Sequence, residues 1–249
     1  NKNGNGWNNC VTATTTTGIT FPDDCDSPPS VSSGDTFEYQ SRALDIAGNQ
    51  ESYPGLAEAS TTVDTVEPGS TYNTAEDQWF NSNPTLDIDF SDDVALDQAE
   101  YKVDSDGTYT TIANGISGTF YTSNWLITTS DWDGMSEGPH YLYFKITDDA
   151  GNVATTSDDA AAFKLNKDTT PPSSSISPDG SSWTNSDVSY DISCSDSASG
   201  CDTTYWGEVS DGSSCSTSNS APPTISDTVT CSDDNTCKID VCYYSDDTA

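Results

Sequence analysis

The stretch Pro84 to Phe90, PTLDIDF, places Leu86, Ile88 and Phe90 on one side and Thr85, Asp87 and Asp89 on the other. That period of two marks a strand with one face buried and one face wet. AEYKVDSDGTYTTI, residues 99–112, predicts a hairpin about Asp106–Gly107, a pair suited to a two-residue type I′ turn. HYLYFKITDDAGNVATTSDDAAAFKL, residues 140–165, predicts two strands joined by DDAGN, with Leu142, Phe144 and Ile146 on a common face. In that turn Gly151 supplies a positive φ, Asn152 tolerates the left-handed region, and Asp148 can accept hydrogen bonds from turn amides. Helix-period patterns are missing, and short strands separated by Gly, Pro, Asn and Asp predict an all-β sandwich.

The same turn is written DIAGN at Asp45–Asn49, and it belongs to a longer internal repeat. At an offset of 104 residues, Asp64 aligns with Asp168, Thr65 with Thr169 and Pro68 with Pro172. The register continues through Trp79 and Trp183, Asn81 and Asn185, Asp87 and Asp191, Ile88 and Ile192, Ser91 and Ser195, Asp92 and Asp196, and Tyr101 and Tyr205. A period of that length is one sandwich domain, not a solenoid unit. The expected organisation is the later part of one repeat over 1–66, a whole repeat over 67–170, and a third over 171–249 that lacks its last strand. DTTPP at 168–172 is the expected joint, stiffened by consecutive prolines that fix φ and remove amide donors.

Composition narrows the function classes. The chain of 249 residues carries 41 acidic and 7 basic side chains, a net charge of −34, which disfavours nucleic acid and anionic lipid as partners. Asp outnumbers Glu by 33 to 8, which fits turns and oxygen-rich loops better than helical surfaces. Low hydrophobicity with high charge would suit disorder, but 25 aromatics set in alternating runs point to folded strands. The sequence has no apolar run of transmembrane length, so this segment is not expected to insert in a membrane. A first residue that is Asn instead of Met suggests a mature chain or a window from a longer one.

Eight cysteines occur without C-x₂-C pairs and beside one histidine, so disulfides are expected in preference to zinc, and with them an oxidising setting, extracellular (secreted), periplasmic or at the cell surface. Spacing suggests Cys10 with Cys25, Cys215 with Cys231, Cys194 with Cys201, and Cys237 with Cys242 as the remainder. The cysteine-free middle repeat must rely on its core alone.

Calcium is the sharpest ligand expectation, because Ca2+ takes six to eight oxygens from carboxylates, carbonyls and water. The candidate ligands are Asp92 with Asp93, Asp148 with Asp149, the joint acids Asp64 and Asp168, and Asp196 with Asp202. A cation there would neutralise facing carboxylates and stiffen a joint. No EF-hand or nonapeptide calcium loop is present. Catalysis is not expected: His140 is the sole histidine, and acid pairs mean little among 41 acids. Trp79, Trp125, Trp132 and Trp183 could stack on sugars, but the repeat equivalence of Trp79 and Trp183 favours packing.

DTTPP at a domain start, the Trp-Asn-Ser step before the second strand, and D-x-A-G-N between the last two strands together resemble the tandem immunoglobulin-like domains of large bacterial and archaeal surface proteins. CSDSASGC, Cys194 to Cys201, resembles a version in secreted archaeal proteins whose two cysteines bracket an Asp- and Gly-bearing loop. The resemblance implies tandem immunoglobulin-like β-sandwich domains in an extended array, serving as an adhesin stalk, surface element or filament. Its partners would be neighbouring immunoglobulin-like domains of the same or identical chains, and a cell-surface receptor or glycan. A self-assembling filament subunit completed by β-strand addition, and an accessory or carbohydrate-binding region of a secreted hydrolase, are the competing expectations. In the immunoglobulin manner, a Cys194–Cys242 bridge between sheets is the main rival disulfide.

Overall fold

A computed structural model describes residues 30–180, 186–230 and 238–249. Cys10, Cys25, Cys231, Cys237 and Trp183 lie outside the described residues. Strands dominate. The first repeat contributes β1 (Thr36–Tyr39) and β2 (Ala59–Thr62), an antiparallel pair with the DIAGN turn between them. Phe37, 2% exposed, is its buried anchor.

The middle repeat runs β3 (Gly69–Tyr72), β4 (Gln78–Phe80), β5 (Thr85–Leu86), β6 (Ile88–Ser91), β7 (Leu96–Val103), β8 (Thr110–Asn114), β9 (Phe120–Tyr121), β10 (Trp125–Leu126), helix α1 (Thr129–Gly134), β11 (Gly138–Asp148), β12 (Val153–Thr155) and β13 (Phe163–Lys167). One sheet has the order β3-β6-β9, a second β4-β13-β11-β7-β8 with β12 also on β11, and β5 pairs with β10 in a short third. Their inner faces share one core. Leu86, Ile88, Phe90, Leu96, Leu142, Phe163 and Leu165 are fully buried, and Phe144 is 1% exposed. The Phe90 and Phe144 rings, from opposite sheets, have centroids 5.7 Å apart. Burial of side chains of this size stabilises by about 1.5–3 kcal/mol each, which lets this repeat stand without a disulfide.

The third repeat runs β14 (Ser173–Ser177), β15 (Val188–Ser195), β16 (Cys201–Ser210), β17 (Asn219–Ala221), β18 (Thr224–Val229) and β19 (Ile239–Asp247). Its sheets are β14-β15-β18 and β17-β16-β19, the same pairings as β3-β6-β9 and β8-β7-β11 in the middle repeat. Tyr190, Ile192 and Ile225 form its smaller core, covered by Ile176, Trp206, Val229, Val241 and Tyr243. The architecture is therefore an all-β series of β-sandwiches.

Three local expectations need correction. The turn after β7 is not a two-residue type I′ turn at Asp106–Gly107; pairing resumes only at Thr110, and the positive φ, 55°, falls on Asp104. Gly107 is required for another reason, since a Cβ there would sit 2.2 Å from the Val103 carbonyl oxygen. The strand expected after DDAGN is split. β12 pairs with Lys145–Thr147, and β13 pairs with Gly138–Leu142.

The third correction concerns disulfides. Cys194 bonds Cys201 as expected, but Cys215 bonds Cys242, not Cys231, and this also overturns Cys237–Cys242 and the rival Cys194–Cys242. Gly207 explains the pairing. It stands opposite Cys242 in the β16–β19 register, and a Cβ on it would lie 2.3 Å from the Ser216 carbonyl oxygen. The loop carrying Cys215 therefore lies directly on the strand, where Cys242 is within bonding reach, with a Cα separation of 5.6 Å.

Candidate metal centre at the repeat joints

The AGN turns are built alike. In the middle repeat Asp148 Oδ1 accepts from the amides of Gly151 (2.7 Å) and Asn152 (2.8 Å), and Asp148 Oδ2 accepts from Asn152 Nδ2 (2.7 Å). In the first repeat Asp45 accepts from the Asn49 amide and Asn49 Nδ2, both at 2.7 Å. Gly48 and Gly151 carry φ of 88° and 93°. These hydrogen bonds, led by the Asn49 side chain, hold the Asp45 carboxyl below its ordinary range. Both oxygens of Asp148 are thus engaged inside its own turn.

The joint acids behave differently. The Val66 amide donates to Asp64 Oδ1 at 3.1 Å, and 104 residues on the Thr170 amide donates to Asp168 Oδ1 at the same distance. The Val94 amide donates to Asp92 Oδ2 at 2.8 Å, and the Ala198 amide donates to Asp196 Oδ1 at 2.9 Å. Both acids of the alignment therefore keep their local turn geometry in each copy. Each joint gathers three carboxylates. Oxygens of Asp64, Asp92 and Asp93 lie within 4.8 Å of one another, as do those of Asp168, Asp196 and Asp247.

Of the eight nominated acids, Asp64, Asp92 and Asp93 meet at the first joint, and Asp168 and Asp196 at the second. Asp148, Asp149 and Asp202 belong to neither cluster, whereas Asp247, at the end of β19, completes the second. Asp247 was invisible in the sequence because β19 reaches the joint through sheet pairing, and spacing carries no such signal.

Electrostatics separates the joints. Two unit charges 4.8 Å apart at an effective dielectric near 20 repel by about 3 kcal/mol. Asp92 is 9% exposed, and its burial, then the charges of Asp64 and Asp93, push its carboxyl above the ordinary range. Asp168 is 1% exposed; burial pushes it up, but hydrogen bonds from Ser199 and Thr170 outweigh that and leave it below the ordinary range.

The lone histidine is a strut. His140 Nδ1 lies 2.8 Å from Asp104 Oδ2, and Nε2 lies 2.9 Å from the Ser136 carbonyl oxygen. The Ser136 hydroxyl is 3.5 Å from the same nitrogen, but a ring nitrogen already facing a carbonyl is poorly placed to take a hydroxyl proton. Trp125 and Trp132 are buried in the middle core, and Trp79 is half-buried.

No family model and no curated protein matches the chain. Among solved structures, the fibronectin(III)-like modules of Clostridium thermocellum CbhA align with a TM-score of 0.31 at 15% identity, covering 73% of this chain and 88% of that one.

Proposed function

We propose that this chain is part of a non-enzymatic extracellular structural or adhesive protein, a stalk or fibre that gains reach by joining β-sandwich repeats end to end. The observation that carries this reading is the recurrence of one joint. Linker acids Asp64 and Asp168, and loop acids Asp92 and Asp196, keep the same turn bonds 104 residues apart. Repeats that served only as independent globules would need no common joint. Contacts across the second joint support series connection: the Ser199 amide donates to Asp168 Oδ2 at 2.9 Å, and Asn81 Nδ2 donates to the Ala249 carbonyl oxygen at 3.1 Å. The disulfides Cys194–Cys201 and Cys215–Cys242 fit an oxidising compartment. A net charge of −34 would keep neighbouring repeats from collapsing on one another. The partners are neighbouring repeats and a cell-surface receptor or glycan.

Small-angle X-ray scattering of the purified chain tests this reading. A single compact globule of this length has a radius of gyration of about 18 Å. A value well above that, with an elongated distance distribution, is expected; a compact value contradicts the series arrangement.

A further inference from the structure

The two joints share a framework but differ in how their charge is answered. At the second joint both oxygens of Asp168 are engaged, Oδ1 by the Thr170 amide and Oδ2 by the Ser199 amide at 2.9 Å. Ser199 sits in the loop closed by Cys194–Cys201. At the first joint Asp64 Oδ1 is engaged by Ser33 and Val66, but Asp64 Oδ2 is buried with no hydrogen-bond partner among the described residues. Asp92 repeats the situation. Its Oδ2 accepts from the Val94 and Ala95 amides at 2.8 and 3.0 Å, and its Oδ1 is buried without a partner among the described residues.

An isolated buried carboxylate oxygen is costly, and buried polar groups in native proteins are nearly always satisfied. Among the described residues, no basic side chain answers this pair. Lys145 pairs with Glu100, Lys164 with Asp77 and Lys238 with Asp211. Lys102 bonds the Ser105 carbonyl, Lys167 the carbonyls of Trp132 and Met135, and Arg42 lies over Tyr53.

We propose that Asp64, Asp92 and Asp93 bind a calcium ion at the first joint, and that the Ser199 amide, presented by the disulfide-closed loop, takes over that role toward the linker acid at the second. The donor set is all oxygen and carboxylate-rich, which selects a hard cation over zinc. Irregular loops supply it, which suits the flexible coordination of Ca2+ better than the octahedron Mg2+ demands. Asp64 and Asp92 present their unpartnered oxygens, the exposed position of Asp93 leaves room for water, and backbone carbonyls and water complete the shell. The geometry stands whether or not the chain serves as a surface stalk.

Isothermal titration of the full chain with CaCl2, and separately with MgCl2, tests the proposal. Wild type is expected to bind Ca2+ with a Kd of about 0.1–1 mM, the range of extracellular modules, and Mg2+ more weakly. D92N, and D93N at an exposed position that does not disturb packing, should each weaken Ca2+ binding about tenfold or more as ligand charge falls. D196N and D247N should leave that binding unchanged. A wild type without Ca2+ binding, or D93N and D92N chains that bind like wild type, overturns the site; loss on D196N or D247N equal to that on D92N overturns the assignment of Ser199.

Discussion

The amide of Ser199 donates to Asp168 Oδ2 at 2.9 Å, so the linker acid of the second joint is held by a loop of the repeat that follows it. That bond, and the one from Thr170, favour the carboxylate form. A carboxyl depressed in the folded state contributes stability that is fully present above the unfolded value near pH 4 and is lost as pH falls through the folded value. Melts of wild type and D168N should therefore differ most at neutral pH, with wild type more stable. The gap should close as pH drops below about 4. An unchanged gap in acid contradicts a held carboxylate.

Gly207 allows the loop around Ser216 to lie on β16, where a Cβ would approach the Ser216 carbonyl oxygen to 2.3 Å. Backbone cannot retreat as a side chain can. Gly207→Val should destabilise the third repeat by about 1–3 kcal/mol, read by urea unfolding, and should slow oxidation of Cys215 with Cys242, read by thiol labelling during refolding.

Lys167 is 7% exposed and caps the C-terminal end of α1, donating to the carbonyls of Trp132 at 2.9 Å and Met135 at 3.0 Å. Its ammonium also lies 5.2 Å from the Trp132 ring centroid. Lys167→Met keeps the apolar stem and removes the donors. The expected cost is about 1.5–3 kcal/mol, measured by urea unfolding with Trp fluorescence.

The two AGN turns provide an internal comparison. Asp148 is 2% exposed and Asp45 is exposed, although both accept from the amide and side chain of the Asn four residues on. Asp148→Ala should cost about 2–3 kcal/mol because a buried carboxylate and its three turn hydrogen bonds are lost. Asp45→Ala should cost distinctly less, since water replaces the lost bonds. Equal losses in chemical unfolding contradict burial as the deciding factor.

Much of this fold was legible in the alternation of Leu86, Ile88 and Phe90, all fully buried, and in the repeat that carries Ile88 onto the equally buried Ile192. The joint acids were legible for the same reason, because a repeat places equivalent residues in equivalent surroundings. Partnership across sheets was not. Cys215 finds Cys242 because β19 lies beside β16 and Gly207 lets a loop descend, and Asp247 reaches the second joint along the same strand. Lys167 could not be read as a core residue, since its burial depends on the end of α1 lying over β13. Local pattern reports which face is apolar, while long-range pairing decides what that face meets.

Differential scanning calorimetry of the full chain, with EDTA and then with about 5 mM CaCl2, tests the central claim that a cation closes one joint and an amide the other. Reduction identifies the third repeat's transition, since both described disulfides lie there. Calcium at several times its Kd should stabilise the cysteine-free middle repeat by about 1–2 kcal/mol and raise its midpoint by several degrees. The reduction-sensitive transition should not move. A calcium-independent middle transition, or an equal rise of both, would contradict the account.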